Sequence, residues 1–175
     1  MEKLFLVTNP GSSSRKYALY RGDKAICRLH FELEEREVIC TIKHPDGMKR
    51  KLVGSFRKLT ETVKYVKEIL ENENYINKNT KLDAVLARVV ATGDYFSRDH
   101  LVDRECLAKL EVAKKRTPLH VPVVAAEIEE CMRRFDGTPA IIISDSAFHT
   151  SRDRVHTYYA IDLDLAERME IKKYG

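Results

Sequence analysis

Between residues 4 and 55, apolar and β-branched positions alternate with polar ones, and short turn signals interrupt the alternation. A period of two places successive side chains on opposite faces, so this stretch predicts strands rather than helices. The first strand is Leu4 to Thr8, closed by Asn9-Pro10-Gly11 and three serines, where Pro lacks a ladder N–H and Gly favours turn geometry. Lys16 to Tyr20 forms the second strand, Ala25 to Leu33 the third and Glu37 to Lys43 the fourth. A His44-Pro45-Asp46-Gly47 turn then leads to a fifth near Lys51 to Ser55, completing an antiparallel meander.

The period changes from Thr60 onward. Leu59, Val63, Val66 and Leu70 recur at helical spacing, with Thr60 and Glu61 as cap and acidic first turn. Asn72 to Thr80 is a polar loop, and Ala84 to Val90 is an apolar run short enough for a buried strand. A second helix is predicted near Asp103. A third follows His120, with Pro122 in its first turn and Ala125, Ile128, Met132 and Phe135 on one face, and ends at Asp136-Gly137. Ala140 to Ser144 reads as a buried strand, His156 to Ile161 as one more, and Leu163 to Met169 as a short helix. Antiparallel strands followed by alternating helices and strands define an α/β or α+β domain with a mixed sheet.

Composition narrows the function classes. A chain of 175 residues fits one domain with a real core, and 33% charged against 43% hydrophobic residues is the balance of a folded, non-fibrous protein. Lys plus Arg number 31 against 27 Asp plus Glu, a formal charge of +4, but the signs are interleaved, which argues against nucleic-acid binding. No run approaches the roughly 18 to 20 apolar residues of a membrane span, and Leu4 to Val7 is too short for a signal core, so a cytoplasmic location is expected. Cys27, Cys40, Cys106 and Cys131 lack a C-x-x-C spacing and read as reduced, partly buried thiols.

The segment LFLVTNPGSSSRKYALY, residues 4 to 20, carries the most chemistry. A hairpin of Asn, small residues, three hydroxyls and a Lys presents backbone N–H groups and hydroxyls to a phosphate, and Asn9 at the strand end is suited to a metal or its water shell. The Walker spacing is absent, and an ordinary hairpin loop explains such a turn equally well. Arg88, on a buried-looking strand, either faces a cleft and an anion or pairs in the core with an acid such as Asp83. Asp145 follows the apolar Ile141 to Ile143 at a strand's carboxyl end, where ligands of α/β sheets collect; capping a helix is its other common use.

The run N-P-G-S-S-S-R-K-Y closely resembles the opening of acetate kinases and their propionate and butyrate kinase relatives, in the superfamily of acetate and sugar kinases, Hsp70 and actin. Three further segments follow in that family's order. ARVVATGDYF at 87 to 96 resembles its RVVHGGExF, TPLHVP at 117 to 122 its PLHNP, and SDSAFHT at 144 to 150 its FDTAFHxT. The closing IKKYG resembles its IRRYG.

The resemblance implies a ribonuclease H-like, actin-like ATPase fold and phosphoryl transfer between ATP and a short-chain carboxylate, with Mg2+. It implies that Arg88, Asp145 and His120 are catalytic, and that Arg88, Val90 and Leu119 bind the substrate, the last two through its methyl group. It further implies that Ser12, Ser13 and Lys16 contact phosphate and that Asn9 and Asp145 serve the metal. His149 matches the family too, in a structural rather than catalytic role. Ala91 and Thr92 stand where the family has His and Gly, and Val121 where it has Asn, which puts activity or substrate preference in question.

Acetate kinases are more than twice this long. The resemblance therefore makes residues 1–175 the N-terminal domain, with the C-terminal nucleotide-binding domain absent, turnover dependent on that complementary domain or subunit, and dimerisation or self-association through the uncovered face. A stand-alone, non-catalytic module that binds a small anion or a partner protein is the competing expectation, slightly favoured by Ala91 and Val121.

Overall fold

Alternation in the first third is expressed as burial. Along one strand Cys27, Leu29 and Phe31 are buried while the residues between them are half-buried or exposed, and Val38, Cys40 and Ile42 repeat the pattern on the next. The computed structural model describes residues 2–54, 56–169 and 171–173. Among them eight strands form one sheet: β1 (Leu4–Pro10), β2 (Ser14–Arg21), β3 (Lys24–Glu34), β4 (Glu37–Lys43), β5 (Lys49–Val53), β6 (Ala84–Val89), β7 (His100–Leu101) and β8 (Ala140–Ser144). Their order is β5-β4-β3-β2-β1-β6-β8-β7. The predicted meander is present as β1 to β5, each antiparallel to the next. β6 then pairs parallel with both β1 and β8, so the mixed sheet is as expected.

Three main helices complete the fold: α1 (Val63–Asn72), α2 (Arg104–Arg116) and α3 (Val121–Arg134). α3 packs on β1, β6 and β8 with α1 and α2 beside it. Val63, Val66, Ile69 and Leu70 of α1 join one apolar cluster with the inner face of β1 to β4. Cys106 and Leu110 of α2 and Val121, Val124 and Ile128 of α3 join a second cluster over β6 and β8. Asp103 caps α2 by accepting from the Cys106 N–H at 2.8 Å, and the chain leaves α3 through Gly137 at φ 73°, a conformation suited to Gly. All four cysteines are free and buried, and burial pushes the Cys27 and Cys40 thiols up to about 12.

Several expectations are corrected. His156 to Ile161 is not a strand: the Asp153 carboxylate accepts the His156 N–H at 2.9 Å and caps a helical turn, α5 (Arg154–Thr157), leaving only a bridge between Tyr158 and Lys172. It is preceded by α4 (Asp145–Phe148) and followed by α6 (Leu163–Arg168), the predicted short helix. Residues Leu59–Glu61 form a separate 3-10 turn, and α1 starts after Thr62, whose hydroxyl donates back to the Leu59 carbonyl instead of Thr60 capping the helix. Met132 is exposed, because Cys131 takes the buried seat one turn after Ile128. The fifth strand lies at Lys49–Val53, and Ser55 lies outside the described residues, as do Tyr174 and Gly175 of IKKYG.

Candidate functional site

The parallel pairing brings separated residues to one edge. Thr8 pairs with Ala87 and Arg88 with Ile143, so the carboxyl ends of β1, β6 and β8 present Asn9, Arg88 and Asp145 side by side. Arg88 donates to Asp145 Oδ1 twice, through Nε at 2.9 Å and through Nη2 at 2.7 Å, while its Nη1 lies 3.4 Å from Asn9 Oδ1. The pair is open to solvent, the side chains being 46% and 23% exposed. A guanidinium has five N–H donors in a fixed fork, so with its Nε–Nη2 edge on Asp145 and Nη1 only loosely held, its outer edge is available to an anion. Asp145 Oδ2 has no partner among the described residues.

Asp83 is not the partner of Arg88, and Asp145 is not the cap of α4. Asp83 bonds to the Leu4 N–H at 2.7 Å, closing the ladder between β1 and β6, rather than to Arg88. Ser144, not Asp145, caps α4, its hydroxyl accepting from the Ala147 N–H at 3.4 Å.

The hairpin lies at the same end of the sheet. Ser12 and Ser13 are exposed at its open tip. The Gly11 N–H donates to the Ser14 carbonyl at 2.9 Å, and a Cβ at Gly11 would meet that same oxygen at 3.0 Å, so a side chain there would push the carbonyl back by a few tenths of an ångström and loosen the turn. Lys16 pairs in register with Asn9 and shares its face.

Of the remaining predicted residues, His120 is exposed at the start of α3 and caps nothing with its ring. Its loop is tied toward β6 by Thr92 Oγ1 and Thr117 Oγ1 at 3.4 Å. Val90 is half-buried and Leu119 is 79% exposed. Thus Asn9, Lys16, Arg88 and Asp145 are brought together, whereas among the described residues no hydrogen bond or ion pair joins His120, Val90 or Leu119 to them. His149 ends α4, its ring edge-on to Phe148. Ala91 and Val121 are both buried in the second apolar cluster. Of the three departures, these two supply packing, while Thr92 bonds to Thr117.

Supporting residues escaped the sequence reading. Beneath the hairpin, the Thr8 hydroxyl donates to the buried Glu127 at 3.0 Å, and the Tyr17 hydroxyl shares a hydrogen bond with Thr62 at 3.2 Å. Burial lifts the Glu127 carboxyl above its ordinary range. The buried Arg15 donates to the Gly11 carbonyl and pins the turn from below. Behind Asp145, the Ser144 N–H donates to Asp99 at 2.8 Å and the Ser146 hydroxyl to the Ala91 carbonyl at 3.1 Å, fixing the β8–α4 corner against the loop after β6. A readable signal existed for Glu127 alone: it falls on the apolar stripe Val124, Ile128, Cys131 of α3.

The fold and its edge define a mixed α/β protein with an open arginine–carboxylate pair at the strand ends, a place where such sheets bind ligands. Comparison with known proteins then specifies the lineage. The Acetokinase family profile matches residues 4–175, and the chain belongs to that family. An acetate kinase of Caldanaerobacter subterraneus is 31% identical over 175 residues, covering 97% of this chain and 44% of that protein. The crystal structure of Porphyromonas gingivalis acetate kinase superposes with a TM-score of 0.83 at 27% identity, over 99% of this chain and 45% of that one. A propionate kinase from Francisella tularensis does so with 0.81 at 27% identity, over 99% and 44%. The chain therefore spans less than half the length of these relatives. Among the described residues, no helix is long and apolar enough to cross a membrane.

Proposed function

We propose that this chain is the N-terminal domain of an acetate kinase-type phosphotransferase, contributing the acyl-substrate side of a cleft whose nucleotide side belongs to a complementary domain. The observation that carries this reading is the Arg88 guanidinium, held on one edge by Asp145 and open on the other. Phosphoryl transfer depends on positioning and on cations that meet charge as it spreads over the moving group, which a fixed planar cation supplies. Arg88 binds the carboxylate or acyl phosphate through its outer edge, Asn9 steadies Nη1, and Lys16 and the tip N–H groups of Ser12 and Ser13 face phosphate oxygens. No group on the chain has to deprotonate a short carboxylate, which is already ionised at neutral pH.

Among the described residues no cluster of three or more His, Cys, Asp or Glu could cage an ion. One carboxylate with a free oxygen beside an amide oxygen instead suits a hydrated Mg2+ completed by substrate phosphate. Asp145, through Oδ2, and Asn9 would hold it, and when bound it would neutralise phosphate charge.

The test is acyl phosphate formation from ATP and acetate, propionate or butyrate, measured with the chain alone and with the C-terminal half of a relative supplied in trans or fused. Activity only in the combined samples, lost in Arg88→Ala, is expected. Full turnover by the chain alone, or none in a folded fusion, overturns the reading.

A further inference from the structure

The outer face of the sheet, opposite α1 and α3, carries an ordered row of charges. Register places Val7, Ala18, Arg28, Lys43 and Lys49 side by side across β1 to β5, all on one face. They line a groove of about 440 Å3, which Lys16 and Asn9 also border. Arg28, Lys43 and Lys49 are exposed, and among the described residues none of them, nor Lys16, forms an ion pair. Like charges directly opposite one another on neighbouring strands are destabilising, so three cations in successive register pairs are a cost to the free protein that a bound anion relieves. Three carboxylates near the row are engaged elsewhere: Asp46, in the turn between Lys43 and Lys49, accepts the Met48 N–H at 2.9 Å, Glu34 binds Lys51 at 2.8 Å, and Glu32 lies 3.6 Å from His30. The His30 Nε2 on the groove wall is shielded from solvent and lacks a hydrogen-bond partner.

We infer that this groove is a second anion site for a small polyvalent phosphate, centred on Arg28, Lys43 and Lys49 and sharing only its border residues Asn9 and Lys16 with the Arg88 edge. Three cations spaced one strand apart span roughly 10 Å at the usual 4.7–4.9 Å strand separation. A single phosphate meets all three only if the outer two side chains bend inward, whereas linked phosphates meet them at the spacing of the strands, and the apolar floor of Val7 and Ala18 gives no competing acceptor.

The experiment is a thermal-shift and calorimetric titration of the chain with inorganic tripolyphosphate, with monophosphate as the comparison. Expected is a rise in Tm with tripolyphosphate that monophosphate at equal phosphate concentration does not match. The double variant Arg28→Gln, Lys43→Gln weakens tripolyphosphate by about tenfold or more, while its ligand-free Tm is equal to or above that of the parent, since a repulsive pair is gone. Arg88→Ala keeps the tripolyphosphate response, which separates this inference from the proposed function. No response of the parent chain, an undiminished response of the double variant, equal affinity for monophosphate, or loss of the response in Arg88→Ala would each overturn it.

Discussion

Arg88 spends two of its donors, Nε and Nη2, on a single oxygen of Asp145 and leaves the other carboxylate oxygen open. An ion pair this exposed contributes about 0–1 kcal/mol to stability, so its consequence is orientation. Asp145→Asn should therefore change the unfolding free energy by less than about 1 kcal/mol. It should also tighten metal-free binding of acetyl phosphate, because the guanidinium is no longer neutralised, and abolish any gain on adding Mg2+. Denaturant unfolding and titration with and without the metal check the three parts.

Glu127 makes stability depend on pH. Burial raises its folded-state value above the ordinary 4.5, so the folded protein holds this proton more tightly than the unfolded chain does. Its contribution is fully present at acid pH and declines as pH rises from about 4.5 through the raised value. Glu127→Gln should remove that decline, giving a flatter stability profile and a protein no less stable at neutral pH. Chemical denaturation across pH 4 to 8 measures it. Thr8→Val, which takes away the hydroxyl that donates to this carboxylate, should cost about 1–3 kcal/mol at neutral pH.

Val121 is fully buried at a position where the resemblance called for Asn. Placing Asn there strands an amide in the apolar cluster, and Val121→Asn should destabilise by about 1–3 kcal/mol in thermal or chemical unfolding.

The β3–β4 hairpin turns through Glu35 and Arg36 with φ of 46° and 80°, the left-handed region that favours Gly. Arg36→Gly should stabilise by about 1 kcal/mol, seen as a higher denaturant midpoint with unchanged slope.

What the sequence made legible follows the reach of each physical signal. The meander, the start of α2 near Asp103 and the strand that stops before Asp145 are readable because alternation, turn residues and apolar runs act over neighbouring residues. His156 to Ile161 misled because Val155, Tyr159 and Ile161 mimic a strand pattern yet lie exposed, where a local Asp153 cap outweighs pairing. β7 consists of two residues and has no period to detect. At the site, Asn9, Arg88 and Asp145 were found through motifs, but the partner of Arg88 was not, since Asp83 and Asp145 are equivalent until strand order is known. Arg15, Thr8 and Asp99 act through contacts created only by the tertiary fold, and no pattern along the chain announces them.

Titration of the chain with acetyl phosphate, followed by amide and guanidinium NMR signals, tests the central claim most directly. A shared anion site predicts saturable shifts at Asn9, the Ser12–Ser13 tip and the Arg88 side chain, with affinity falling about tenfold or more in a folded Arg88→Ala variant. Shifts confined elsewhere, or equal affinity in Arg88→Ala, would contradict it.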